Sequence, residues 1–258
     1  MFRTALFVLL VVALSGASPL VKPIPGSKPR RPRLDGRIVG GSAVSISQYP
    51  WQLYFELGTY NMCGASIISV NWALSAARCV DGVSTSQMLL RAGTSTRGSG
   101  GSTHRVAAAY IHEGYFGNDY DICVLQVSNS FRFGTNVQPV DLASADATVG
   151  SLATVTGWGA TWYNGSPSDT LLAATVKIID RDTCSRSYGG ITDRMICAGV
   201  TGGGYDACQG DTGGPLVSGS TYQVGIVSWG NGCGLADYPG VYTNVGNLWP
   251  WIQQATGI

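Results

Sequence analysis

The sequence predicts an all-β domain of two packed antiparallel barrels finished by one C-terminal helix, and three observations carry that prediction. Runs such as LATVTGWG (152–159), YQVGIVSWG (222–230) and GVYTNV (240–245) are rich in β-branched and aromatic residues and bounded by turn formers. The composition, with 36 glycines and only 12% charged residues, supplies many turns and little long helical periodicity. Residues 38–258 are numerous enough for one such domain, dividing roughly into 38–142 and 143–258.

Taken in order, residues 1–17 have the form of a secretory signal: Arg3, the apolar run TALFVLLVVAL, then the small Ser15, Gly16 and Ala17 as a cleavage point. The apolar run falls short of the roughly 20 residues a spanning helix needs. A secreted, extracellular protein with no membrane partner is expected. Residues 18–37, SPLVKPIPGSKPRRPRLDGR, hold prolines and cations but almost nothing for a core, and read as a basic propeptide cleaved at Arg37, before Ile38. A polyanion-binding tail is the competing reading of that tract. Of the 16 Lys and Arg, 7 lie at or before Arg37 with only 1 of the 15 Asp and Glu, leaving a formal −5 on residues 38–258. That mildly acidic body argues against nucleic acid as a partner.

Further on, ALSAARCV (73–80) looks like a half-buried strand leading into a disulfide, where the permanently charged Arg78 is an expensive residue to place unpaired. The tail NLWPWIQQATGI (247–258) suggests a helix beginning near Pro250, a residue that suits a first turn. Seven cysteines, Cys63, Cys79, Cys123, Cys184, Cys197, Cys208 and Cys233, should mostly pair in a secreted chain, with one left over. Composition alone does not assign the pairs. The two histidines and the cysteines show no ligand-like clustering, so neither a metal nor another cofactor is expected. The segment 91–104, RAGTSTRGSGGSTH, holds no carboxylate that could ligate calcium.

Five stretches then fall in order: RIVGG (37–41), CGASIISVNWALSAARC (63–79), NDYDICVL (118–125), DACQGDTGGPLV (206–217), and SWGNGCG through PGVYTNV (228–245), with GWG at 157–159 and WI at 251–252. Together they resemble the chymotrypsin-like serine proteases, the trypsin branch in particular. The resemblance implies two six-stranded Greek-key barrels around a cleft, an external C-terminal helix, the disulfides Cys63–Cys79, Cys184–Cys197 and Cys208–Cys233, and Cys123 as a buried free thiol. It places Asp206 at the base of a primary specificity pocket for basic side chains, with Ser228, Trp229, Gly230 and Gly240 around it. Gly210 and Thr212 would supply the oxyanion-hole N–H groups. Cleavage after Arg37 by another trypsin-like protease would free the Ile38 amine to pair with Asp211.

Two departures decide the chemistry. Where the family's TAAHC motif has its histidine this chain has Arg78, and where GDSGGP has its serine it has Thr212; only Asp121 of the triad is retained. A guanidinium stays protonated at neutral pH and cannot act as a general base, so the Thr212 hydroxyl is left a weak nucleophile. Neither His104 nor His112 is expected to take over. Arg78 is instead expected to reach across and pair with Asp121, which lacks an imidazole; the competing picture swings Arg78 into the cleft while water solvates Asp121. The expected function is a clip-activated, non-catalytic homologue retaining its pocket, a monomer whose partners are the activating protease and protease inhibitors or basic peptides. A weak endopeptidase cleaving after Arg or Lys with Thr212 as nucleophile is the alternative. Asn164-Gly165-Ser166 is a glycosylation sequon followed by Pro167.

Overall fold

Strand pairing closes twice. The computed structural model describes residues 38–58, 61–219 and 221–258; the leader, the propeptide and Arg37 lie outside the described residues. After a short strand β1 (Ser42–Ala43), the first barrel is built from β2 (Gln52–Leu57), β3 (Asn61–Ile67), β4 (Trp72–Ser75), β5 (Met88–Ala92), β6 (Ser102–Ile111) and β7 (Cys123–Val127). They pair in the order β2-β3-β4-β7-β6-β5, and β5 returns to β2 antiparallel to close the ring. The second barrel follows a two-residue strand β8 (Asp141–Leu142) and contains β9 (Leu152–Gly157), β10 (Leu172–Ile179), β11 (Met195–Gly199), β12 (Pro215–Ser218), β13 (Tyr222–Trp229) and β14 (Gly240–Asn244). Its ring runs β9-β10-β11-β14-β13-β12, with β1 added on β10 and β8 on β13. Closure leaves no unpaired edge within either ring, which is how a β-rich chain avoids templating aggregation.

Period-two patterning selects these strands. In β5, Met88, Leu90 and Ala92 face the core while Leu89 and Arg91 lie half-buried between. Leu53, Phe55, Ile67, Leu74, Leu90 and Leu125 are fully buried in the first barrel, and each such side chain contributes roughly 1.5–3 kcal/mol by leaving water. Val155, Leu172, Leu216 and Tyr242 do the same in the second. Val217 and Ile226 of the second barrel join the core of the first, and buried polar pairs cross between the rings as well: Ser66 Oγ donates to Gln223 Oε1 at 2.6 Å and Thr156 Oγ1 to Gln52 Oε1 at 2.5 Å. Such paired polar groups fix the relative placement of the two rings, because any slip would orphan them.

Among the described residues there are three α-helices, α1 (Ala77–Val80), α2 (Arg181–Tyr188) and α3 (Val245–Thr256), and two single 3-10 turns, Ile46–Gln48 and Thr85–Gln87. Two expectations are corrected here. The strand expected through ALSAARCV ends at Ser75, and Arg78 lies in the single turn of α1 rather than on a strand. The terminal helix starts earlier than Pro250: Asn244 caps it by accepting from Asn247 N–H, so Pro250 is its sixth residue. A buried Asn cap outweighs the preference of proline for a first turn. Val245, Leu248 and Ile252 carry α3 onto the core of the first barrel.

Candidate functional site

The site forms where the two barrels meet. Beyond Ser75 the backbone of Ala76 is extended, and the α1 turn then points Arg78 back along the junction. The disulfide Cys63–Cys79 ties that turn to β3, fixing the residue next to Arg78. Asp121 comes from the segment before β7, where Tyr120 adopts a left-handed φ of 53°. That conformation is uncommon for a side chain of this size, and it is held from outside: Asp119 pairs with Arg194 and accepts from Thr192 Oγ1, while the Arg194 guanidinium lies over the Tyr120 ring at 4.7 Å.

Asp121 is fully buried and takes three donors. Arg78 Nε donates to Oδ2 at 2.5 Å, Arg78 N–H to Oδ1 at 2.9 Å, and Ser228 Oγ to Oδ2 at 2.6 Å. The remainder of the guanidinium reaches Asn118 Oδ1 at 3.2 Å and Ser228 Oγ at 3.4 Å through Nη2. The cation therefore spans both barrels, and its side chain keeps 28% exposure toward the cleft. A buried carboxylate with a charge-assisted pair and two further donors is satisfied, whereas one without a cation would be costly.

Thr212 lies across the junction. Its carbonyl accepts Gly64 N–H at 2.8 Å, and Gly213 and Gly214 N–H bond to Val227 and Asp211 carbonyls. Among the described residues the Thr212 hydroxyl has no hydrogen-bond partner, and neither the Gly210 nor the Thr212 N–H donates to a protein acceptor. No imidazole is near: His104 is buried against Phe131, bonded to Asn129 O and Ser102 Oγ. His112 is packed between Tyr120 and Trp251, and burial lowers its pKa.

Beside Thr212 opens a cavity of about 170 Å³ bordered by Asp206, Ser228, Trp229, Gly230 and Gly240. Asp206 is 4% exposed; its Oδ2 accepts Gly234 N–H at 2.9 Å, but Oδ1 has no partner among the described residues. The hydroxyl of Tyr242 and Nε1 of Trp229 are orphaned beside it. Burial pushes the Asp206 carboxyl up to about 7. A side chain on Gly240 would put its Cβ 2.5 Å from Asp206 Oδ1, so only glycine leaves this wall open. The disulfide Cys208–Cys233 joins two segments that border the cavity. Unspent polar atoms around a buried carboxylate suit a ligand that is long, narrow and cationic. A larger groove of about 920 Å³ outside the second barrel, near Lys177, Tyr205 and Leu235, touches neither Asp121 nor Thr212.

The sequence has relatives. The Trypsin family model matches residues 38–252. The chain belongs to the trypsin family. It is 44% identical to "Trypsin delta" of Drosophila erecta over 86% of this chain and 89% of that protein, and 44% identical to "Trypsin alpha" of Drosophila melanogaster over 86% and 88%. It is 38% identical to "Trypsin 5G1" of Aedes aegypti over 97% of this chain and 98% of that protein.

Two further features of this trypsin-family domain bear on the site. Asp211 is fully buried and accepts Gly159 N–H at 2.7 Å and Cys208 N–H at 3.0 Å. Cβ atoms on Gly157 or Gly159 would run into that carboxylate, which gives the GWG motif its physical reason. Among the described residues no Lys, Arg or His side chain pairs with Asp211, and burial lifts its carboxyl to about 7. Ile38 is buried in the core of the same barrel, and Val39 O accepts Asp206 N–H at 3.2 Å. The third disulfide joins Cys184 of α2 to Cys197, and the thiol of Cys123 is buried, donating to Ala76 O at 3.3 Å. Asn164 is in an exposed loop with a left-handed φ of 61°. Sequence reading missed Asn118, Asp119, Thr192 and Arg194, which anchor the segment presenting Asp121. The short NDYD run was the one available signal.

Proposed function

We propose that the chain is a secreted trypsin homologue, clipped after Arg37, that holds Arg or Lys side chains in its cleft without cutting the chain that bears them. The observation that carries this reading is the contact of Arg78 Nε with Asp121 at 2.5 Å, in the position where a trypsin would keep its imidazole. Hydrolysis of a peptide needs a base that takes the proton of the nucleophile and returns it to the leaving amine. A guanidinium does neither, and among the described residues the Thr212 hydroxyl is hydrogen-bonded to no base. The β-branch of Thr212 also restricts its hydroxyl to fewer rotamers than a serine has.

What supports retained binding is the cavity at Asp206, with its orphaned carboxylate oxygen and its glycine wall. What supports clipping is Asp211, a buried carboxylate without a cationic side chain, in the barrel whose core contains Ile38. Release of the Ile38 amine would supply that cation. A monomer with these properties would act on other proteases indirectly, as a decoy for their inhibitors or basic substrates or as a regulator of an extracellular cascade.

The test pairs binding with chemistry. Pure chain clipped at Arg37 should bind benzamidine and leave arginyl esters and amides uncut, and the double variant Arg78→His/Thr212→Ser should regain cleavage after Arg. A clipped chain that binds neither benzamidine nor a protein trypsin inhibitor would refute the reading.

A further inference from the structure

The exchange of an imidazole for a guanidinium changes what can lie next to the pocket. A neutral imidazole over an aspartate leaves a net charge of −1 at the reacting centre. Arg78 over Asp121 leaves zero. The centre is therefore one charge less hostile to an anion than that of a protease with an intact triad.

Anion-binding groups are also left unspent there. Arg78 commits its backbone N–H and Nε to Asp121 and Nη2 to Asn118 and Ser228, while Nη1 donates to nothing among the described residues. Arg78 borders a second cavity of about 630 Å³ together with Gly210, and it touches Ser228, which borders the Asp206 cavity. Gln209 lines both cavities, and Arg78 reaches the wall of the Asp206 cavity through Ser228. Gly210 lines the larger of the two with Arg78 and Thr212 lines the Asp206 cavity, and neither backbone N–H donates to a protein acceptor among the described residues. Two free N–H groups and a free guanidinium edge make a receptor for a carboxylate. The orphaned Asp206 Oδ1 in the adjoining cavity asks for a cation. One small chemical unit carries both charges a few bonds apart: a C-terminal arginine or lysine.

We propose that the cleft is a receptor for peptides ending in Arg or Lys with a free α-carboxylate, the products of trypsin-type cleavage rather than their uncut parents. This rests on the reading of the Asp206 pocket given above. Binding is reversible and involves no covalent step. The basic side chain enters the Asp206 cavity, one carboxylate oxygen faces the Gly210 and Thr212 N–H groups, and the other faces Arg78 Nη1.

The experiment compares three peptides by calorimetry at pH 8, with the full chain both intact and clipped at Arg37: acetyl-Ala-Ala-Arg with a free carboxylate, the same peptide as its C-terminal amide, and acetyl-Ala-Ala-norleucine with a free carboxylate. In whichever form binds more tightly, the arginine acid should bind at least tenfold more tightly than the amide, and the norleucine acid more weakly than either. Molar salt should narrow the acid-to-amide ratio, and Arg78→Gln should bring it within about twofold. An amide that binds as tightly as the acid overturns the carboxylate receptor and leaves the pocket reading standing. Failure of both arginine peptides, with benzamidine failing too, overturns both. Should Arg78→Gln fold poorly, the ratio in the unmodified chain still decides. Asp206→Asn then serves as the second variant: loss of binding for both arginine peptides supports the basic-side-chain anchor, and retained binding overturns it.

Discussion

At Arg78 one side chain supplies the cation for a fully buried carboxylate, and under the proposed function it does so where a base would be needed. Asp121 is fully buried, so removing its cation should cost roughly 2–4 kcal/mol, below the top of the range for buried pairs because the guanidinium keeps some exposure. Arg78→Met is therefore expected to lower the denaturation midpoint clearly, and Arg78→Met/Asp121→Asn to recover part of the loss. Additive losses in that double-mutant cycle would show that the pair is not coupled. The departures at Arg78 and Thr212 were legible in the sequence because the residues around them match the family's motifs: ALSAA and C flank Arg78, and GD and GGP flank Thr212. What Arg78 touches was only partly legible. Pairing with Asp121 follows from charge and burial, whereas the reach to Asn118 depends on how the NDYD segment turns at Tyr120, and no local pattern encodes that turn.

Among the elements, strands were easier to read than helices. Alternation and turn residues mark the β-runs, but α2 has little apolar periodicity over its eight residues, and its only clear signals are the Asp180 cap and Gly189 after its end. The start of α3 was hidden because Asn244 belongs to the strand pattern GVYTN up to its last residue. That asparagine does more than cap: its Nδ2 donates to Asp146 Oδ1 at 2.7 Å and to Asp193 O at 3.0 Å, all from a fully buried position. Asn244→Ala should thus cost about 2–4 kcal/mol, a lost cap plus orphaned buried partners, read as a drop in thermal midpoint. Pro250→Ala should leave stability unchanged or raise it by up to about 3 kcal/mol, since a proline inside a helix forgoes the i→i−4 hydrogen bond that alanine can make. A large loss at Pro250 would mean the ring itself is part of the packing.

Over the whole molecule two buried carboxylates, Asp206 and Asp211, have no cationic side chain as partner among the described residues, and each is lifted to about 7 by desolvation. Both should retain protons in the folded chain between about pH 4 and 7 that the unfolded chain has released. Unfolding free energy should accordingly fall as pH rises through that window, by an amount on the order of 4 kcal/mol per group. A basic amidine restores a cation to Asp206, so the thermal stabilisation it gives should grow as pH rises through 7 and fade below it. Equal stabilisation by benzamidine at pH 5 and pH 8 would contradict that assignment. Clipping at Arg37 should raise the midpoint at pH 8 through Asp211. Two barrels with a terminal helix were legible as a whole because closure needs only period-two patterning and frequent turns; the Ser66–Gln223 and Thr156–Gln52 contacts that set the barrels against each other pair residues over a hundred positions apart.

Grip without cutting can be read in one sample. Incubate pure, clipped chain with an excess of an arginyl amide peptide, in parallel with Thr212→Ala, and follow bound and cleaved peptide by mass spectrometry over a day. Peptide that is bound yet intact, with no product above the Thr212→Ala sample, is the predicted result; product that accumulates in the unmodified chain and vanishes in Thr212→Ala would contradict it.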